Sequence, residues 1–81
     1  MTVTVRLFAT FREFLPQQAL GTAWEIDVAA DETVQGLLAT LRLPNELPRL
    51  VLVNGKHAAD YELLCEGDHV AICPPLIGGV Y

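Results

Sequence analysis

The stretch DETVQGLLATL, residues 31–41, decides the fold class because the hydrophobic pattern changes its period there. Its apolar residues recur at intervals of three and four, which places them on one stripe of an α-helix: Val34, Leu37, Leu38 and Leu41. Either Asp31 or Thr33 can cap the start of this helix. A stripe of this kind is typical of a helix that packs one side against a core.

The segments on both sides of this helix alternate apolar and polar residues, a period of two that predicts β-strands. Residues 2–9 and 22–28 precede the helix, and we expect them to form an antiparallel pair joined by a long loop. Residues 50–53, an Asn-Gly turn signal and a last strand at residues 69–73 follow it. This order predicts an α+β fold, with a mixed sheet packed on one main helix.

Composition narrows the class of protein. A chain of 81 residues with 52% hydrophobic content makes one small domain and leaves little room for a buried active site. The net charge of −5, without a basic run, argues against nucleic acid as a partner. No apolar run approaches membrane-spanning length, and the amino-terminal residues do not resemble a signal peptide. We therefore expect a cytoplasmic protein with no membrane partner.

Motifs for catalysis or metal binding do not occur in the sequence. Cys65 and Cys73 lie eight residues apart, which is not a redox or zinc spacing, and His57 and His69 supply no matching motif. In a cytoplasmic protein both cysteines are expected to be reduced. The sequence thus favours a binding module or carrier that binds no cofactor or metal and is not catalytic alone.

The carboxyl-terminal stretch PPLIGGVY, residues 74–81, has an unusual composition. Proline lacks a backbone donor, so Pro74 and Pro75 cannot continue a central strand and hold the chain extended. Gly78 and Gly79 have no Cβ, and could thread a channel too narrow for other residues. These features suit a tail that enters the active site of another protein. A flexible end that contains glycines by chance is the alternative. We divide the chain into a domain at residues 1–75 and a flexible tail at residues 76–81.

Four segments resemble the MoaD/ThiS family of ubiquitin-like sulfur carriers: VRLFATFRE (5–13), ETVQGLLATL (32–41), LVNGK (52–56) and EGDHVAICPPLIGG (66–79). The last segment is the most specific, since it ends in Pro-Pro, two residues and Gly-Gly after a final strand. ThiS relatives usually lack the Pro-Pro, so the similarity favours the MoaD branch, which serves molybdenum-cofactor biosynthesis. The resemblance implies a β-grasp fold.

The resemblance also implies a mechanism and partners. A MoeB-like enzyme would use ATP to adenylate the carboxylate of Gly79, and sulfur would then replace AMP to give a thiocarboxylate. A MoaE-like large subunit would bind the carrier and receive the sulfur for molybdopterin. Family members dock this partner with apolar residues and the tail, which points to Phe8, Cys73, Pro74, Pro75, Leu76 and Ile77 here, with Gly78 next to the reactive end.

The sequence departs from the family at its end, because Val80 and Tyr81 follow Gly79. An amide then replaces the carboxylate of Gly79, so the chain as written cannot be adenylated there. Some relatives lose such an extension to a JAMM-type metalloprotease, which implies cleavage between Gly79 and Val80. The alternatives are a non-catalytic interaction module whose capped tail never carries sulfur, or a carrier for thiamin, cysteine, siderophore or tungsten-cofactor synthesis.

Overall fold

The computed structural model of the chain describes residues 1–8, 23–43 and 48–74. Within these ranges it contains the following elements in chain order: β1 (Thr2–Leu7), β2 (Ala23–Asp27), α1 (Val34–Thr40), β3 (Leu50–Val53), β4 (Lys56–His57) and β5 (His69–Cys73). The predicted α+β class, helix and four strands are confirmed, and β4 is an additional strand. The predicted tail at residues 76–81, together with Pro75, lies outside the described residues.

The strands form one mixed sheet in the order β2-β1-β5-β3-β4. The strands β1 and β2 are antiparallel, as predicted, and pair Val3 with Ile26 and Val5 with Trp24. The central strand β5 runs parallel to β1 and antiparallel to β3. The last strand of the described residues therefore lies in the middle of the sheet, with hydrogen-bonded neighbours on both sides.

The core lies between one face of this sheet and α1. Alternation along the two central strands places five fully buried or nearly fully buried side chains on that face: Val3, Val5, Leu7, Val70 and Ile72. The helix contributes Val34, Leu37 and Leu38. In β2, the outermost strand of the described sheet, Trp24 and Ile26 pack against this core but are only half-buried.

The start of the helix resolves the choice between two capping residues. Thr33 is the N-cap, and its Oγ1 accepts a hydrogen bond from the backbone N–H of Gly36 at 3.1 Å. Asp31 is exposed in the preceding turn. The helix ends at Thr40, so Leu41, the last residue of the predicted stripe, is the half-buried C-cap.

The Asn-Gly signal forms a tight hairpin between β3 and β4. Asn54 and Gly55 both have positive φ, of 53° and 84°, as a two-residue type I′ turn requires. Val53 then pairs with Lys56, and Leu52 with His57. The pattern did not predict β4 because two exposed residues are too few to show an alternation.

Candidate functional site

The end of β5 is the point from which the chain leaves the sheet toward Pro74. Cys73, the last residue of β5, pairs with Leu50 of β3. On the other side, the backbone N–H of Phe8 donates to the carbonyl of Ile72 at 3.0 Å. Neighbouring strands therefore hold this end from both sides, and the base of the predicted tail has a defined position.

The sheet face opposite α1 carries an apolar surface at this end. Residues next to the buried Leu7, Val51 and Ile72 point away from the helix, since successive strand residues face opposite sides. The resulting group, which we call the tail-end patch, consists of Phe8, Leu50, Leu52, Ala71 and Cys73. Phe8 is 39% exposed and the other four are half-buried, so the patch is open to a partner.

Cys73 has the environment of a packing residue. Its Sγ lies 3.7 Å from the carbonyl oxygen of Leu50, and burial raises the pKa of its thiol above the ordinary value. A raised pKa keeps the sulfur protonated at neutral pH, and the protonated thiol is a weak nucleophile. The apolar contact expected of Cys73 thus suits its surroundings better than a reactive thiol does.

One positive charge borders the patch. Arg6 lies on the same face as Phe8, two residues earlier in β1, and is paired with Ala71 of β5. Its side chain is exposed. A partner surface that covers the tail-end patch would therefore meet a cation beside the apolar residues.

The structure brings together only some of the predicted site residues. Phe8 and Cys73 lie in the tail-end patch, and Pro74 directly follows it. The other predicted site residues lie outside the described residues: Pro75, Leu76, Ile77, Gly78, Gly79 and Val80. Leu50 and Leu52 were not predicted to belong to the site, although the unbroken apolar run at residues 50–53 indicates a strand with apolar residues on both faces.

The described parts of the chain contain neither a metal-binding cluster nor a membrane-spanning helix. Among them, no group of three or more His, Cys, Asp or Glu side chains could hold a metal ion. No helix in them is long and apolar enough to span a membrane. Both Cys65 and Cys73 are free thiols.

Comparison with known proteins gives the family. Residues 1–76 match the family described as Mut7-C ubiquitin. The chain belongs to this family of ubiquitin-like proteins. The predicted ubiquitin-like family of the MoaD/ThiS type and the predicted β-grasp fold are thereby confirmed. A search of curated proteins found no significant match.

Solved structures similar to this member of the family include two from Haloferax volcanii. The HVO 2177 protein is 32% identical, with 98% of this chain and 87% of that chain covered and a TM-score of 0.71. SAMP1 is 28% identical over 98% of this chain and 100% of its own, also with a TM-score of 0.71. A third similar structure is a chain from the complex of subunits 1 and 2 of the Helicobacter pylori molybdopterin-converting factor. It is 24% identical, with 98% of this chain and 100% of that chain covered and a TM-score of 0.64, and it shows the fold alone.

Proposed function

We propose that this protein is a sulfur carrier that holds sulfur as a thiocarboxylate on Gly79 after Val80 and Tyr81 have been removed. Molybdopterin biosynthesis is the pathway that we favour. The observation that carries this proposal is the position of β5, whose end leaves the centre of the sheet beside the tail-end patch. The sequence after it is Pro-Pro, two apolar residues and Gly-Gly.

The central position of β5 supports a carrier role mechanically. Because β1 and β3 hold β5 on both sides, the folded domain supplies a rigid base for the segment that follows. An extended segment from Pro74 to Gly79 reaches roughly 20 Å, at ~3.3 Å per residue. For a partner bound to the patch, this length is the greatest distance at which Gly79 could be received.

The chemistry requires a free carboxylate on Gly79. Once the amide to Val80 is hydrolysed, that carboxylate attacks the α-phosphate of ATP on a MoeB-like enzyme, and pyrophosphate leaves. A hydrosulfide ion supplied by a partner then attacks the acyl carbon, and AMP leaves, which gives the thiocarboxylate. In this scheme ATP and the acid–base groups belong to the partners, and the chain needs no cofactor of its own. We propose the cytoplasm as the compartment for these steps, because ATP and reduced thiols are available there.

The tail-end patch is the surface that we assign to the synthase partner. Its exposed aromatic ring and half-buried aliphatic groups provide the apolar centre that protein interfaces use. One solved protein with this fold occurs in a complex of subunits 1 and 2 of a molybdopterin-converting factor. A MoaE-like subunit is therefore the partner proposed for this patch.

The central experiment compares two purified chains, one of residues 1–81 and one of residues 1–79. Each is incubated with ATP, a sulfur donor and the MoeB-like enzyme of the native host. We expect only the shorter chain to be adenylated and to exchange one oxygen for sulfur in its intact mass. Adenylation of neither chain would contradict the carrier function and favour the interaction module.

A second experiment addresses the pathway and the processing step. Intact mass of the protein isolated from its host shows whether Val80 and Tyr81 are removed, which we expect a JAMM-type metalloprotease to do. The loaded carrier is then mixed with the MoaE-like subunit and the cyclic pterin precursor. Formation of molybdopterin supports the favoured pathway, whereas a loaded carrier without pterin conversion would direct the search to another sulfur pathway.

The similarity to SAMP1 favours a second candidate function, protein modification. SAMP1 is described as a small archaeal modifier protein and is 28% identical to this chain. The same acyl adenylate on Gly79 would then be attacked by a lysine amine of a target, with AMP leaving and an isopeptide bond forming. Trypsin cleaves after Lys56, the last basic residue before Gly79, so a remnant of residues 57–79 on lysines of host proteins would support this function over sulfur delivery.

A further inference from the structure

A second surface lies at the opposite end of the sheet from the tail-end patch. A groove of about 230 Å³ separates the start of α1 from the β3–β4 hairpin. Its apolar lining comes from Val34, Val53, Ala58 and Leu63. Leu63 is 66% exposed, which is unusual for a leucine beside a concave apolar surface.

The groove lies near the start of β5, whereas the tail leaves from its end. Val53 pairs with Val70 at the start of β5, whereas Leu50 pairs with Cys73 at its end. The two pairs are three residue steps apart along the strand, or roughly 10 Å at ~3.3 Å per residue. The groove also opens on the side of the sheet that carries α1, so a molecule bound there would leave the tail-end patch free.

The edge of the sheet beside this groove has backbone groups that pair with no described residue. Val53 and Lys56 close the two-residue turn, and the next hydrogen-bonded pair joins the N–H of Ala58 to the carbonyl of Val51 at 3.0 Å. Between them, Leu52 and His57 form a non-hydrogen-bonded pair, so the N–H and C=O of His57 point away from β3. No described strand covers that side of β4.

The charges around the groove select the kind of ligand. Lys56, the single lysine of the chain, shares the face of Val53 and makes no ion pair with any described residue. The Glu62 carboxylate is already engaged, since its Oε2 accepts a hydrogen bond from the N–H of Ala59 at 2.6 Å. Glu62 keeps its negative charge in this hydrogen bond, so Lys56 is the charged side chain at the rim that has no partner among the described residues.

We propose that this groove binds an extended segment of a partner protein that presents an aliphatic side chain two positions from an acidic residue, so that both lie on one face of the segment. The aliphatic group fills the space over Val53 and Ala58, and the carboxylate faces Lys56. The backbone of the segment pairs with the N–H and C=O of His57, as in strand addition to an open edge. This second docking site does not depend on the proposed chemistry at Gly79.

The test titrates the isotope-labelled full chain with the peptide acetyl-Asp-Val-Leu-Val-Ser-amide and follows backbone amide NMR shifts. We expect saturable shifts at Val53, His57 and Leu63, and none at Phe8 or Ala71. A peptide with Lys in place of Asp should bind about fivefold more weakly, because it lacks the charge that complements Lys56. The affinity of the acidic peptide should fall with added salt.

Two pairs of variants sharpen this test. K56E should weaken binding of the acidic peptide about fivefold, whereas R6E, the same charge change on the opposite face, should leave binding unchanged. L63S should also weaken binding, whereas Y61S should not, since Tyr61 is 82% exposed and does not line the groove. Each substitution is at an exposed position, and the spectrum of the free variant verifies the fold.

Several outcomes would overturn this inference. These are no saturable shift in the groove, equal affinity for the acidic and basic peptides, or shifts centred on the tail-end patch. Shifts in the groove that grow with protein concentration in the absence of peptide would instead identify a second copy of the chain as the occupant. None of these results bears on whether Gly79 is adenylated.

Discussion

Asn54 and Asp68 join two turns that lie far apart in the sequence. The Nδ2 of Asn54 donates to Oδ1 of Asp68 at 2.9 Å, and the N–H of His69 donates to Oδ1 of Asn54 at 3.0 Å. The other oxygen of Asp68 accepts from the N–H of Cys65 at 2.7 Å. Together these bonds fix the start of β5 against the β3–β4 hairpin, and β5 leads to the tail.

Replacement of Asp68 should therefore lower stability. D68A removes both acceptor oxygens and leaves the amides of Asn54 and Cys65 without these partners, so we expect a loss of about 1–2 kcal/mol in the free energy of unfolding. Urea denaturation measures this loss. D31A is the matched control, since Asp31 is exposed and makes no side-chain hydrogen bond with the described residues. Equal losses for both variants would show that the network contributes nothing.

Two glycine-to-alanine substitutions should change stability in opposite directions. Gly55 has a φ of 84° with nothing within 4 Å of an added Cβ, so G55A is strained without a clash and should cost about 1 kcal/mol. Gly36 lies inside α1, where alanine gains up to about 1 kcal/mol in helix propensity.

An added Cβ on Gly36 meets the end of the Glu32 side chain, which must move and release its hydrogen bond to the N–H of Thr33. We therefore expect a smaller net gain for G36A than helix propensity alone would give. Thermal unfolding of the two variants checks the signs. A destabilised G36A would mean that the contact with Glu32 outweighs helix propensity.

The two cysteines should react with iodoacetamide at different rates. Cys65 is exposed, whereas Cys73 is half-buried and its pKa is raised by burial, so Cys65 should be alkylated first. The alkylation rate at Cys73 should continue to rise at pH values above those at which an ordinary thiol has become fully reactive. Peptide mapping over a pH series measures both rates. Faster alkylation of Cys73 at neutral pH would contradict the packing role.

The raised pKa of the Cys73 thiol also predicts that the stability of the fold depends on pH. The folded state holds the proton of the Cys73 thiol more tightly than the unfolded state does. The contribution of this proton to the free energy of unfolding is therefore complete below the ordinary thiol pKa, and it is lost as the pH rises through the raised pKa. C73A should remove this part of the pH dependence. The comparison uses urea unfolding of both proteins at neutral and alkaline pH.

The tail-end patch should lose affinity for its partner when its aromatic ring is removed. F8S should raise the Kd for the MoaE-like subunit about tenfold, since exposed aromatic residues are frequent hot spots of interfaces. Y61S serves as the control, because Tyr61 is exposed elsewhere. Calorimetry with the purified subunit measures both values. Equal weakening by both variants would exclude the patch as the docking surface.

The final glycine should be essential in the trimmed chain. In residues 1–79, G79A adds a methyl group at the proposed reactive end, and we expect sulfur loading or transfer to fall about 100-fold, since a misplacement near 1 Å can cost this much. Pyrophosphate release and intact mass measure the two steps. The thermal unfolding of the variant should match that of its parent. Normal sulfur delivery would show that Gly79 does not thread a narrow channel.

Local patterns predicted much of the fold. The alternation of Val3, Val5 and Leu7 and the helical spacing of Leu37 and Leu38 identify their elements, because burial on one side imposes a period of two or 3.6 on the sequence. The pattern could not predict β4, which is too short to alternate. It also left open whether Asp31 or Thr33 caps the helix, because both side chains can accept the same hydrogen bond.

The sequence by itself determined the class of fold, the family and the composition of the tail. Only the tertiary structure decided that β5 lies between β1 and β3, that Leu50 and Leu52 share a face with Phe8, and that Lys56 borders a groove. The physical reason is that local periodicity shows which side of a helix or strand is buried, but does not show which other elements lie next to it. Strand order and register arise from contacts between distant segments, and those contacts build both surfaces.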